Sequence, residues 1–240
     1  MAAHPAGLGF WQIFTAISSS SEHYIISSIL DCQGCLSRLL ANRESGLDRA
    51  VSGICGIDEA GRGPWAGPVV AAAVILPAQK RPKGLADSKQ LSADAREELA
   101  LAIRACSMVG VGIATPAEID QINILQATYL AMQRAFDGLS ERPVAALIDG
   151  NQAPDLPCSI EMIIDGDAHV ASISAASIIA KVERDRMMVE FCAQYPGYAF
   201  AKHKGYGTPE HQRALAELGP CPIHRRSFKP VREAAGIIAA

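Results

Sequence analysis

No uninterrupted apolar run in this chain of 240 residues reaches the length of about 18 that a membrane-spanning helix needs, so no membrane association is expected. Bulk positive charge is missing too: 22 Lys and Arg stand against 25 Asp and Glu, a formal net charge of −3. A nucleic-acid binder built on overall charge is therefore excluded, and affinity for a polyanion must come from local clusters. Basic residues are absent from the start, the first being Arg38. A secretory leader, which opens on a basic segment, is not expected. The seven cysteines, Cys32, Cys35, Cys55, Cys106, Cys158, Cys192 and Cys221, are odd in number and irregularly spaced. That speaks against a disulfide framework and suits a reducing cytoplasm. Cys32 and Cys35 have knuckle spacing, but no second Cys or His pair follows to complete the four ligands of a structural zinc site. There is no internal repeat, and low complexity is confined to the serines at 18–21.

What is present suffices for a core. Hydrophobic residues make up 49% and charged residues 20%, which excludes disorder over most of the chain. Residues 1–50 carry no clean period and read as a poorly ordered extension with a short helix at 35–42. Regular patterning runs through residues 51–240. Ile54 to Ile57 read as a strand, and the continuous apolar run Pro68 to Leu76 as a buried one. A helix is expected from Ser92, a strand over Met108 to Ala114, and a capping box with Pro at the first helical position in Thr115-Pro116-Ala117-Glu118. A longer helix is expected around 123–138, strands over Val144 to Ile148 and Ile160 to Ile164, and a long helix over 170–194. Further helices start at Thr208-Pro209-Glu210 and near Pro230. This order predicts an α/β domain, a mixed sheet with helices packed on it.

Acidic residues close several of the predicted strands. Asp58-Glu59 follows Gly-Ile-Cys-Gly-Ile, Asp149 follows Val-Ala-Ala-Leu-Ile, and Asp167 follows Glu161 to Gly166. Carboxylates converging at a sheet end repel one another unless a cation is present, and hard oxygen ligands suit Mg²⁺ or Mn²⁺. Asp149-Gly150 alone reads equally well as a turn pair. The densest segment is Asp58-Glu59-Ala60-Gly61-Arg62-Gly63-Pro64. Its glycines allow close backbone approach to a ligand, and Arg62 can fork onto a phosphate or ribose oxygen. A tight turn between two strands accounts for the same glycines.

With these residues in view, the chain resembles the bacterial type 2 ribonucleases H, the ribonuclease HII family. The resemblance rests on GIDEAGRGPWAGPVVAAAVIL at 56–76, ADSKQLS at 86–92, INILQATYLAMQRA at 122–135, LIDGN at 147–151, GDAHVASISAASIIAKVERDR at 166–186, HKGYGT at 203–208 and HRRSF at 224–228. It covers about residues 52–237 and leaves residues 1–50 outside. It implies a ribonuclease H-like fold, a mixed five-stranded sheet flanked by helices with a C-terminal helical portion. It implies four catalytic and metal-binding carboxylates, Asp58, Glu59, Asp149 and Asp167, with two Mg²⁺ or Mn²⁺ ions during catalysis. Asp165 is expected to be a neighbour and not a ligand. Gly61, Arg62 and Gly63 take the place of the family's substrate-reading Gly-Arg-Gly, and Tyr206 that of its junction-sensing tyrosine. Many members have Gly-Tyr-Pro-Thr where this chain has Gly-Tyr-Gly-Thr, so a looser loop is expected at Gly207.

The implied activity is hydrolysis of RNA in RNA–DNA hybrids and cleavage 5′ of a single ribonucleotide embedded in duplex DNA, giving 3′-hydroxyl and 5′-phosphate ends. A cytoplasmic monomer that removes misincorporated ribonucleotides and primer remnants is expected. Ribonuclease HIII, which prefers longer hybrids, is disfavoured by the intact Asp-Glu-Ala-Gly-Arg-Gly-Pro and the nearby ADSK motif. A non-catalytic hybrid binder would not need four carboxylates. Local charge is available, because residues 181–235 hold ten basic residues against six acidic ones. Arg184 and Arg186 fit a solvated helix face as well as a substrate contact. The clusters Lys202-His203-Lys204 and His224-Arg225-Arg226 are the better phosphate candidates. Ser174, Ser177 and Lys181 are candidates for supporting or substrate contacts, although the two serines could instead cap backbone groups within their helix.

Overall fold

Local sequence signals set most of the element boundaries. The computed structural model describes residues 53–85 and 91–236. The extension expected over 1–50, its helix at 35–42, Cys32, Cys35 and most of the ADSKQLS motif lie outside the described residues. Strand β1 runs Ile54–Ala60 and β2 Val69–Ile75. Every residue of β2 is buried, which is why it reads as an unbroken apolar run. Helix α1, Ala93–Cys106, starts where the Ser92 hydroxyl accepts from the Ala95 amide at 3.2 Å. Strand β3 is Met108–Ala114.

Helix α2 spans Pro116–Asp137 and begins on the expected capping box. The Glu118 amide donates to Thr115 Oγ1 at 3.3 Å and the Thr115 amide to Glu118 Oε2 at 2.8 Å. The helix expected to start near 123 is instead the second part of α2. Asn123 interrupts it at φ 67°, and its Oδ1 accepts from the amides of Leu125 and Gln126 at 3.0 and 3.1 Å, capping the helix anew. Strands β4, Ala145–Asp149, and β5, Ser159–Ile163, follow. Then come the single turn α3, Gly166–His169, and the long α4, Ala171–Gln194. The C-terminal portion adds α5, Phe200–His203, α6, Pro209–Leu218, and α7, Lys229–Ala234.

The strands form one mixed sheet in the order β3-β2-β1-β4-β5. The β1–β2 and β2–β3 pairs are antiparallel, while β1–β4 and β4–β5 are parallel. This is the five-stranded α/β architecture that the resemblance implies. One face packs Cys55, Ile57, Ala71, Ala73, Ala146 and Ile148 with Ala131, Met132 and Phe136 of α2. The other packs Ala72 and Val74 with Ile103 of α1 and Ala175, Ile178 and Ile179 of α4. A third, aromatic cluster around Met188, Tyr198, Phe200 and Ile223 roots the C-terminal portion on the end of α4. Among the described residues no helix is long and apolar enough to cross a membrane. The five described cysteines, Cys55, Cys106, Cys158, Cys192 and Cys221, are all free thiols.

Candidate active site

The parallel pairing of β1 with β4 brings two acids together. Their register aligns Ile57 with Ile148, so the next residues along, Asp58 and Asp149, stand side by side, Asp149 closing β4 and Asp58 two residues short of the end of β1. Asp58 and Glu59, expected to follow the strand, lie within it, because both pair with β2. Ligand sites in α/β sheets open at such carboxyl ends. Asp58 is 6% exposed and faces α4, where Ser177 hydrogen-bonds its carboxylate. Burial, then the charges of Glu59 and Asp149, push the Asp58 carboxyl well above the ordinary range; the Ser177 bond only partly opposes this. Glu59 is raised as well, mainly by burial, with Arg62 pulling it down and Asp149 pushing it up. The Arg62 Nη1–Glu59 Oε1 distance is 3.4 Å.

Asp167 joins from α3. It is 3% exposed, and its amide donates to Asp149 Oδ1 at 3.4 Å. Asp165, by contrast, is exposed on the left-handed residue that precedes the helix, at φ 53°. The structure thus places Asp167, and not Asp165, against Asp149. The acids of the first three motifs are linked electrostatically, and the fourth is linked through its backbone.

The Gly61-to-Pro68 loop rests on two arginines. Arg225 Nε donates to the Gly67 carbonyl at 2.9 Å, Nη1 to that of Arg62 at 2.9 Å, and Nη2 to those of Gly61 and Pro68. Arg184 Nε donates to the Pro68 carbonyl at 3.0 Å, and Nη2 to those of Ala66 at 3.2 Å and Lys204 at 3.0 Å. A trans peptide carries its N–H opposite its C=O. With the Gly61 and Arg62 carbonyls turned inward, the amides of Arg62 and Gly63 face the opposite way, on exposed residues. Gly61 sits at φ 98°, and a Cβ there would fall 2.0 Å from Arg184 Nε. Only glycine fits.

These contacts correct the sequence reading of the basic residues. Arg184 is 1% and Arg225 0% exposed, so neither is a solvated face or a phosphate contact. His203 and His224 are buried as well, at 8% and 2%. Lys202 pairs with Glu210 at 2.6 Å, Lys181 with Asp185 at 2.8 Å, and Lys204 Nζ with the Ala201 carbonyl. Of the two expected phosphate clusters, only Arg226 keeps a basic side chain exposed without a described partner; its amide is held by Asp120. Ser177 meets Asp58, whereas Ser174 lies wholly inside the fold. A buried guanidinium satisfied by carbonyls leaves no acidic counterpart in the sequence, which is why these two arginines were not legible.

Tyr206 comes to the same place. It is 46% exposed, and a Cβ on Gly63 would lie 3.6 Å from its Cε1. The Trp65 amide donates to the Gly205 carbonyl at 2.8 Å. At Gly207, where a looser loop is expected, the Trp65 indole lies on the glycine: a Cβ there would be 2.2 Å from Cζ2. Trp65 occupies the space that a side chain at 207 would take.

Among the described residues no three His, Cys, Asp or Glu side chains gather into a closed metal-holding group. The donor chemistry nevertheless fits a hard divalent cation. The acids are all-oxygen donors, and Asp58 and Glu59 are held at a cost in mutual repulsion that a cation would offset. Mg²⁺ uses one or two carboxylates plus waters and substrate phosphates in preference to an all-protein cage.

Known proteins share this sequence and fold. The model of the family described as ribonuclease HII matches residues 55–231. A ribonuclease HII of Parvibaculum lavamentivorans is 58% identical over 181 residues, 75% of this chain and 67% of that protein. One from Rhizorhabdus wittichii is 57% identical over 180 residues, 75% of this chain and 89% of that protein. The crystal structure of ribonuclease H2 from Pyrococcus horikoshii superposes with a TM-score of 0.64 at 26% identity, covering 76% of this chain and 97% of that one.

The packing of Trp65 on Gly207 yields a stability test. Gly207→Ala drives a methyl into a rigid ring and should cost about 1–3 kcal/mol by urea unfolding. In a Trp65→Ala background the same change should cost much less. Equal costs in both backgrounds would show that the indole is not what excludes a side chain.

Proposed function

Because the chain belongs to the ribonuclease HII family, whose members are endonucleases acting on RNA–DNA hybrids, we propose that it also cuts 5′ of a single ribonucleotide in duplex DNA, using divalent metal. Asp58, Glu59, Asp149 and Asp167 are the metal-binding and catalytic acids. Gly61, Arg62, Gly63 and Tyr206 read the substrate. The observation that carries this reading is the Tyr206 ring beside Gly63, at the edge of the acids: a reader of the ribose and a reader of the next sugar adjoin.

Each residue group has a physical task. RNA differs from DNA by a 2′-hydroxyl that both donates and accepts. The outward amides of Arg62 and Gly63 offer donors to that hydroxyl at backbone range, where a side chain on 61 would not fit. The Tyr206 phenol ring packs on the deoxyribose of the following nucleotide, which lacks the hydroxyl that would crowd it. The four acids would hold Mg²⁺ or Mn²⁺, one or two ions, and the cations would supply an activated water and stabilise the leaving 3′-oxygen. Glu59 is held by Arg62 on one side, which keeps its carboxylate at the mouth of the site. All of these groups come from one chain, which supports a monomer as the working unit. A cytoplasmic role in clearing embedded ribonucleotides and primer remnants follows from the substrate. Residues 51–240 are the catalytic unit, with 1–50 an extension to it.

Cleavage of a duplex carrying one ribonucleotide, with and without Mg²⁺ or Mn²⁺, tests the reading directly. Asp58→Asn, Glu59→Gln, Asp149→Asn and Asp167→Asn should each lose roughly a hundredfold to a thousandfold in rate, the worth of several kcal/mol of metal-borne stabilisation. Asp165→Asn should keep substantial activity; the reverse pattern at 165 and 167 would reassign the fourth acid. In the metal-free protein the raised carboxyl of Asp58 binds its proton more tightly folded than unfolded. Stability is therefore lost as pH rises above the ordinary carboxylate range. Asp58→Asn should then be the more stable form at neutral pH, with the gain shrinking on acidification.

Tyr206→Ala should weaken cleavage at a single embedded ribonucleotide more than in an all-RNA strand. By analogy with stacking on a base, the loss is roughly 1–3 kcal/mol, or about tenfold to a hundredfold. Tyr206→Phe should be mild, because the ring remains. Equal losses on both substrates with a lowered melting temperature would make the residue structural. Deleting residues 1–50 should preserve hybrid cleavage, and loss of soluble protein or activity would show that the extension is needed.

A further inference from the structure

The Tyr206 backbone is held by a chain of histidines whose proton positions are determined by one main-chain donor. His211 is 0% and His224 2% exposed. The Cys221 amide lies 3.0 Å from His224 Nδ1 and can only donate, so that nitrogen is bare and accepts. Neutral His224 must then carry its proton on Nε2, which lies 3.0 Å from His211 Nε2. That nitrogen of His211 therefore accepts, and its proton sits on Nδ1, which donates to the Tyr206 carbonyl at 2.9 Å. On the other side of Tyr206, the Gly205 amide donates to His203 Nδ1 at 3.2 Å, and the Tyr206 amide donates to the His203 carbonyl at 2.9 Å. His203 and His211 stack at 4.5 Å between ring centroids.

A second proton on either ring of the pair would set two N–H groups against each other. It would meet the Cys221 amide at His224 Nδ1, or the His224 N–H at His211 Nε2. Burial, reinforced by the neighbouring histidines, keeps both rings neutral: His224 is pushed down to about 4 and His211 is lowered too. The order of donors is therefore single-valued from Cys221 to Tyr206.

We infer that His224 and His211 form a proton-ordered strut that sets the position of the Tyr206 ring beside Gly63, and are thereby positioning residues for the choice of an embedded ribonucleotide over a continuous hybrid. The inference rests on the reading of Tyr206 given above. Neither histidine touches the acids or substrate; both act through the Tyr206 carbonyl. The strut also explains why the loop tolerates Gly207: its backbone is anchored on both sides of Tyr206 by rings of the aromatic cluster, with the Trp65 ring tilted against that of His211 at 5.6 Å between centroids.

Two measurements on the full-length protein test this. Nitrogen-15 NMR of histidine-labelled wild type should show His211 protonated on Nδ1 and His224 on Nε2; the opposite or mixed tautomers would overturn the strut. Cleavage of a duplex with one ribonucleotide and of an all-RNA hybrid is then compared among wild type, Tyr206→Ala, His211→Phe, His211→Asn and His224→Asn. His211→Phe keeps a ring but no donor and should lower the preference for the embedded ribonucleotide about fivefold, the worth of one hydrogen bond. His211→Asn, whose amide can donate from the Nδ1 position, should restore it to within about twofold. His224→Asn, which removes the donor to His211, should lower the preference and decides the matter should His211→Phe not fold. An unchanged preference in His211→Phe and His224→Asn, or equal loss on both substrates, overturns the strut while leaving Tyr206 in place if Tyr206→Ala alone shifts the preference. An unshifted preference in Tyr206→Ala overturns the reading of Tyr206 and the strut with it.

Discussion

Two buried guanidinium groups hold the glycine loop, and the geometry at the sheet end depends on them. Charges taken out of water are costly unless every donor is met. Here neither Arg184 nor Arg225 forms an ion pair among the described residues; main-chain carbonyls accept from Nε and Nη2 of Arg184 and from all three nitrogens of Arg225. Burial lowers both guanidinium groups, and the Arg184 charge helps take Arg225 down to about 9. Because the carbonyls of Gly61, Arg62, Ala66, Gly67 and Pro68 point at these groups, the loop is held from within and the amides of Arg62 and Gly63 face outward.

The same arginines join distant parts of the chain. Arg184 belongs to α4, which also supplies Ser177 to Asp58. It reaches the Lys204 carbonyl two residues before Tyr206. Arg225 comes from the segment that follows His224. The acids, the glycine loop and the tyrosine loop thus share one buried frame. A group of repelling carboxylates stands at the ends of β1 and β4, and a pair of cations lies beneath the adjoining loop. On the proposed reading, a polyanionic substrate brought to such a site would meet oriented amides backed by positive charge. A divalent cation would meet the acids.

The C-terminal portion is accordingly more than an appendage to the sheet. Its aromatic core of Tyr198, Phe200, His203, His211 and His224 is built from rings in contact. Rings with two or three rotatable bonds lose little freedom when packed, and their nitrogens reach main-chain groups that aliphatic side chains would leave unpaired. On the proposed reading this core is what a substrate-sensing tyrosine needs: a rigid base under a half-exposed ring.

The sequence by itself determined the sheet strands and the longer helices, but not the single turns α3 and α5 or the Asn123 interruption of α2. The apolar run of β2, the Thr115–Glu118 capping box, Ser92 and Thr208 as helix caps, and Asp149 closing β4 are local patterns, and local patterns follow from short-range geometry. Motif order identified the family and pointed to Asp167 over Asp165. Tertiary structure alone decided what the C-terminal basic and imidazole groups do. Arg184 sits between Glu183 and Asp185 in sequence, and Arg225 between His224 and Arg226, so both read as solvated or phosphate-facing. Their true partners are backbone carbonyls, which every residue has and no sequence pattern marks. The same holds for Trp65 on Gly207, and for the histidine chain that ends on the Tyr206 carbonyl. Side-chain-to-backbone contacts between remote segments leave no periodicity, so only the folded chain reveals them.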